Sequence, residues 1–202
     1  MNFPFGGRID YAFVKSLFDQ HGYGFHVKPY EVNPFGIRNK DLELVDKFND
    51  IIGVAYKDEF LNDQCLVFAG TTKPGLTYLK DKLGNKDGTA ILIPGNYPKV
   101  WGIGLHNRGT EHEHEAFVQV GKFKVWRDND SDSRFDTDGK VWDNVTGLNC
   151  HRARAHHIDN VGGFSAACQV VEDDKEHSAL ISIAKRHWEM YATFDYSLFQ
   201  SY

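Results

Sequence analysis

The residues best suited to chemistry lie in the segment 148–170, LNCHRARAHHIDNVGGFSAACQV. It carries His151 and, 17 positions later, Cys168, with Ser165-Ala166-Ala167 leading into the cysteine. A thiol becomes a useful nucleophile when a neighbouring imidazole takes its proton. A strand delivering His151, a loop rich in Arg, His and Gly, and a returning strand would let the two groups meet. Residue types alone favour a plainer reading, since a lone cysteine is most often a buried apolar side chain. His156 and His157 fall in the intervening loop, where they can contact substrate. Cys150 adjoins His151, faces the other way in a strand and belongs to the core.

Two other clusters could hold a metal. Asp128, Asp130, Asp132 and Asp136 occupy positions 1, 3, 5 and 9 of a calcium-loop rhythm, which points to a structural Ca²⁺. Ser133 stands where such loops need glycine and Gly139 where they need glutamate, so a solvated acidic turn is the competing reading. The run Glu111-His112-Glu113-His114-Glu115 would place two imidazoles on one face of a strand. Arg108-Gly109-Thr110 before it reads as a hairpin tip, which makes an exposed charged turn the better expectation.

The elements that must position these groups are mostly extended. Strands are expected over 51–56, 65–70, 90–93, 99–106 and 116–120. One more is expected over 122–127, where Lys122 and Lys124 alternate with Phe123 and Val125. Turn chemistry at Lys73-Pro74-Gly75, Pro94-Gly95-Asn96 and Val120-Gly121 separates these runs. Asp10 can cap a short helix that presents Val14, Leu17 and Phe18 on one face. Leu180, Ala184, Trp188 and Tyr191 predict an amphipathic helix over 175–191, and an aromatic strand over 193–199 closes the chain. The fold class is therefore mostly β (α+β), with a few helices. The 202 residues suit one domain, with 1–35 as a helical or loop extension.

Composition narrows the functions. Hydrophobic residues make up 41% and charged residues 25%, as in ordinary globular proteins. A net charge of −5 leaves no electrostatic footprint for nucleic acid. No apolar run reaches the ~18 residues of a membrane span, and the start MNFPFGGRI lacks the pattern of a signal peptide. A soluble monomer made in the cytoplasm is expected. Three cysteines at irregular spacing argue against a disulfide framework or a structural zinc site.

The order of motifs resembles the L,D-transpeptidase (YkuD-like) family. That family has a His-Gly pair followed by Ser-x-Gly-Cys and an arginine; here His151, Ser165 and Cys168 match. Gly70-Thr71-Thr72, Gly88-Thr89-Ala90 and Pro94-Gly95-Asn96-Tyr97 resemble its upstream turns and strand. Gly36-Ile37-Arg38, Ile103 to His106, His151 to Ala153 and Ser165 to Gln169 are similar to a compact branch seen in phages and some bacteria. The departures are Arg152 for the family's glycine, Ala167 for the glycine before the nucleophile and Gln169 for the arginine after it. The resemblance implies a β-sandwich with flanking helices. It also implies acyl transfer through a Cys168 thioester on peptidoglycan stem peptides, with no cofactor required for the chemistry. His151 would be the base, oriented by the Arg152 carbonyl. The backbone N–H of Cys168, with one from Ala167 or Ala166, would bind the oxyanion, and Ser165 would support the loop. His106, Arg154 and Gln169 would contact substrate. Hydrolysis by a phage-type cell-wall enzyme is the expected outcome. The alternatives are cross-linking, a cysteine hydrolase acting on a peptide outside the wall, and an inert virion or binding protein that keeps the fold.

Overall fold

The computed structural model describes residues 8–81, 85–154 and 158–201. Helix α1, Tyr11–His21, starts where the Asp10 carboxylate accepts the Phe13 N–H at 3.0 Å and ends at Gly22 in the left-handed region. Both ends thus satisfy backbone groups that the helix cannot pair internally. Val14 and Phe18 turn towards Phe35, Ile37, Ile51 and Phe199, so the helix seals an outer apolar patch.

The strands are β1 (Asn33–Arg38), β2 (Asp50–Lys57), β3 (Asp63–Thr71), β4 (Thr89–Leu92) and β5 (Gly95–His106). They continue with β6 (His114–Gln119), β7 (Val125–Asp128), β8 (Cys150–Arg154), β9 (Gln169–Asp173) and β10 (Phe194–Gln200). A short helix α2 (Leu76–Lys80) precedes β4, and the long helix α3 (Asp174–Tyr191) lies between β9 and β10. The chain is mostly β with few helices, as its patterning predicts.

The layering differs from the expected sandwich. Eight strands close into one barrel in the order β1-β10-β5-β6-β8-β9-β3-β2, while β4 and β7 pair by themselves. Two parallel pairings, β1 with β10 and β8 with β9, complete the ring and leave its strands without a free edge. β1 begins at Asn33 and is buried throughout, so the last residues of the expected 1–35 extension belong to the barrel. The strand expected over 122–127 is shorter, because β7 begins at Val125.

Period-two alternation sorts the side chains. Tyr196 on β10 donates to Gln169 Oε1 on β9 at 2.7 Å, and these strands are not neighbours in the ring. That bond therefore crosses the lumen, where Trp101, Phe117, Cys150 and Val171 also pack. A buried polar network lies at the ends of β1, β2 and β3. Asp50 accepts from Asn39 N–H, Thr72 N–H and Thr72 Oγ1 at 2.7–2.9 Å, and Lys73 Nζ lies 3.3 Å from it. Arg38 donates to Thr72 Oγ1 and to the Thr72 carbonyl. The sequence motifs Gly36-Ile37-Arg38 and Gly70-Thr71-Thr72 thus meet in a structural role.

Helix α3 is capped by Asp173, which accepts the Lys175 and Glu176 N–H groups. It packs across β9, β8 and β5 and brings His177 to the barrel wall. No described helix is long and apolar enough to cross a membrane.

Candidate active site

β8 and β9 run parallel, with His151 opposite Val170 and Cys150 opposite Gln169. Cys168, two positions before Val170, therefore shares a face with His151, and both line a cavity of about 500 Å³. Cys150 and Gln169 take the opposite face, inside the barrel. Gln169 is accordingly not a substrate contact: it is fully buried, accepting from Tyr196 and donating to the Ala167 carbonyl at 3.3 Å. The expectation failed because one step along a strand reverses the side chain.

The loop before Cys168 is pinned from outside. Asp46 Oδ1 accepts the Gly162 N–H at 2.6 Å and the Leu76 N–H at 2.9 Å, joining this loop to the start of α2. Gly75 donates to the Ser165 carbonyl at 2.8 Å; a Cβ on Gly75 would lie 2.0 Å from the Gly162 oxygen. Only glycine allows that approach. Ser165, fully buried, donates to the Cys168 carbonyl at 2.8 Å and faces no cavity. Ala167 packs in the core and borders a second cavity of about 240 Å³. Ala166 and Cys168 line both cavities, so the thiol sits where they meet.

The protonation pattern follows from the hydrogen bonds. His151 Nδ1 lies 2.8 Å from the Arg152 carbonyl, an acceptor only, so the proton is on Nδ1. Nε2 then carries a bare lone pair, buried and without a partner. His106 stacks on this ring at 3.9 Å between centroids, with 12° between planes. Asn149 Oδ1 accepts the Gln119 N–H, which leaves Asn149 Nδ2 to donate to His106 Nδ1 at 3.1 Å. His106 therefore keeps its proton on Nε2. His114, opposite His106 across β5 and β6, bonds the His112 carbonyl through Nδ1, and its Nε2 is buried without a partner. His177 lies 5.8 Å from His114 between ring centroids, and its Nε2 is likewise unpartnered.

Burial lowers the pKa of all four imidazoles, and His106, His114 and His177 add to the cost of charging His151. His151 is depressed well below the ordinary histidine value, first by burial and then by His106. His106 is pushed down to about 4 and His177 to about 3, both chiefly by burial. Burial also lifts the Cys168 thiol to about 11. At rest the thiol is protonated and donates to the Gly147 carbonyl at 3.4 Å rather than to His151. The cavity is thus lined by a protonated thiol and a neutral imidazole, and does not hold a preformed thiolate–imidazolium pair.

Other expected residues fall variously. Arg152 lines the larger cavity and supplies the carbonyl that orients His151. Arg154 ends β8, but its side chain, like His156 and His157, lies outside the described residues. Asp128, Asp130 and Asp136 offer three ligand atoms within 4.8 Å of one another and could hold a metal ion. Asp132 stays out of that group, and its Oδ1 accepts the Arg134 N–H at 2.8 Å. Among the described residues no trio of histidines meets the same distance.

Sequence reasoning undervalued His114 and missed His177 and Asp46. The 107–113 stretch is indeed a turn, but His114 opens β6 and its ring enters the cavity. A hairpin closing between His106 and His114 was the available signal. His177 gives none, because a histidine in the first turn of a helix has no distinctive neighbours. Comparison with known protein families, with curated proteins and with solved structures finds no match to this chain.

Proposed function

We propose that the chain is a cysteine acyl-transfer enzyme of the L,D-transpeptidase kind, acting on peptidoglycan stem peptides. The observation that carries this reading is the unpartnered Nε2 of His151, a residue that lines the same cavity as Cys168. An imidazole with Nδ1 held by a carbonyl and Nε2 unpartnered is prepared to accept a proton.

In this mechanism the thiol turns from the Gly147 carbonyl and gives its proton to His151 Nε2. The sulfur attacks a stem-peptide carbonyl, and backbone N–H groups at Cys168 and Ala167 hold the resulting oxyanion. The C–N bond breaks, His151 returns the proton to the leaving amine, and a Cys168 thioester remains. Water then attacks with His151 as base, and the thiol leaves with the proton. His106 keeps the imidazole in plane by stacking on it. The chemistry needs no metal; a calcium ion at the acidic loop would serve structure.

The second cavity favours cross-linking as the other reading, because it gives an acceptor amine its own approach to the thioester. A digest of purified sacculi read by mass spectrometry tests both. Cleaved stems mean hydrolysis, newly joined stems mean transfer, and either must vanish in Cys168→Ala. Unchanged muropeptides would overturn the proposal and leave the inert binding protein or a cysteine hydrolase acting on a peptide outside the wall.

A further inference from the structure

The acidic loop after β7 has features that a solvated turn lacks. Asp128 ends β7 opposite Thr89 and is 2% exposed, yet its Oδ2 atom has no hydrogen-bond partner. A buried carboxylate oxygen without a donor is costly. The side chains that meet Asp128 add to that cost, since carboxylate oxygens of Asp128, Asp130 and Asp136 lie within 4.8 Å of one another. The charged neighbours that shift Asp136 are all carboxylates too: Asp130, Asp132 and Asp138. Burial first, then Asp136 and Asp130, lifts Asp128 to about 6.

The backbone forces this crowding. Asp128 is held by the β4–β7 ladder, and Phe135 packs with Leu79 and Ile91, which limits how far Asp136 can move. Ser131 and Ser133 both take positive φ, at 64° and 73°, curling the chain between those anchors. Asp130 Oδ1 accepts the Asp132 N–H, which turns the loop in on itself.

We infer that Asp128, Asp130 and Asp136 form a calcium site that fastens the loop to the end of β7. Carboxylate oxygens select a hard cation, and a curled loop without a preset octahedron suits calcium better than magnesium. The ion would supply Asp128 Oδ2 with its missing partner and cancel the repulsion of the three charges.

Neighbours of the site line the smaller cavity. Arg127 donates to the Gly88 carbonyl at 3.0 Å, and a Cβ on Gly88, at φ +96°, would lie 2.0 Å from the Asp128 backbone carbonyl oxygen. Gly88, Thr89 and Arg127 all line that cavity. Beyond the loop, Trp142 pairs with Val125 and the chain runs on to Gly147, whose carbonyl accepts the Cys168 thiol. Calcium would therefore brace the wall against which the proposed nucleophile rests. Its binding is independent of the proposed chemistry, so calorimetry reads it whether or not the chain turns over a substrate.

The test is calorimetric titration of the metal-stripped full chain with CaCl₂ at neutral pH, with thermal melts alongside. The expected result is one ion per chain and a Tm rise of about 5 °C or more at a hundredfold excess over Kd. Asp128→Asn and Asp136→Asn should each abolish the heat, while Asp132→Asn should retain it. Without calcium, Asp128→Asn should melt higher than the wild type, since a buried charge is gone; with calcium the order should reverse. No heat and no Tm gain in the wild type would overturn the inference. So would unchanged binding in both Asp128→Asn and Asp136→Asn, or equal affinity for MgCl₂.

Discussion

The barrel holds two buried polar clusters that solve the same problem in opposite ways. Around Asp50 the carboxylate has three hydrogen bonds and an ion pair, and Arg38 lacks a partner only at Nη1. Around His151 three imidazoles carry unpartnered Nε2 atoms, and the only described hydrogen bond of the Cys168 thiol is a long one. A folded protein leaves few buried polar atoms unsatisfied. The first cluster spends most of its hydrogen-bonding capacity on the fold, and the second leaves more of its capacity unspent beside a cavity. Buried charge alone therefore does not single out the proposed active site; unspent capacity beside a cavity is what supports it.

Substitutions should separate the two clusters cleanly. The largest effect is expected from Cys168→Ala, which should lower turnover of stem peptides at least 10³-fold while Tm stays within about 2 °C. Asp50→Ala should do the reverse. It strands Arg38 and Lys73 as buried cations and should cost about 3–5 kcal/mol, measured by urea denaturation. Equal loss of stability in both variants would erase the distinction between the clusters. His106→Ala removes the stacked ring without touching the thiol, and a fall in kcat of about tenfold with an unchanged fold is expected. A change in KM alone would make His106 a substrate contact instead of a positioning residue.

The smallest expected effects are those of pH. His106 and His177 are depressed to about 4 and 3, below their unfolded value near 6.5. The unfolded chain therefore takes up protons first as pH falls, so stability should decline from pH 6.5 towards 4. His177→Gln should flatten that decline in melts between pH 7 and 5. Because His151 is also depressed, the acid limb of kcat/KM should lie below pH 6.5. A limb at or above 6.5 would mean that another group is the base.

Much of the fold could be read from local pattern. Asp10 capped its helix as expected, and the strands at 51–56, 65–70 and 99–106 lie within β2, β3 and β5. Closure of the barrel could not be read, because it depends on parallel pairing of β1 with β10, which are more than 150 residues apart. Pro34 and Gly36 also disguise β1 as a turn. In the candidate site, motif order pointed to His151 and Cys168, which line one cavity, and to the Arg152 carbonyl, which accepts from His151 Nδ1. Gln169 was misjudged because motif position says nothing about which face of a strand a residue takes. Asp132 was counted as a ligand for a similar reason: spacing in sequence does not reveal how a loop curls.

Cys168 is proposed to carry the acyl group. Intact-protein mass spectrometry of an acid-quenched mixture with muropeptides tests this. The expected result is an adduct with the mass of the acyl half of the stem, mapped to the Cys168 peptide and absent from Cys168→Ala. Muropeptide turnover that persists in Cys168→Ala, with no adduct on the wild type, would contradict it.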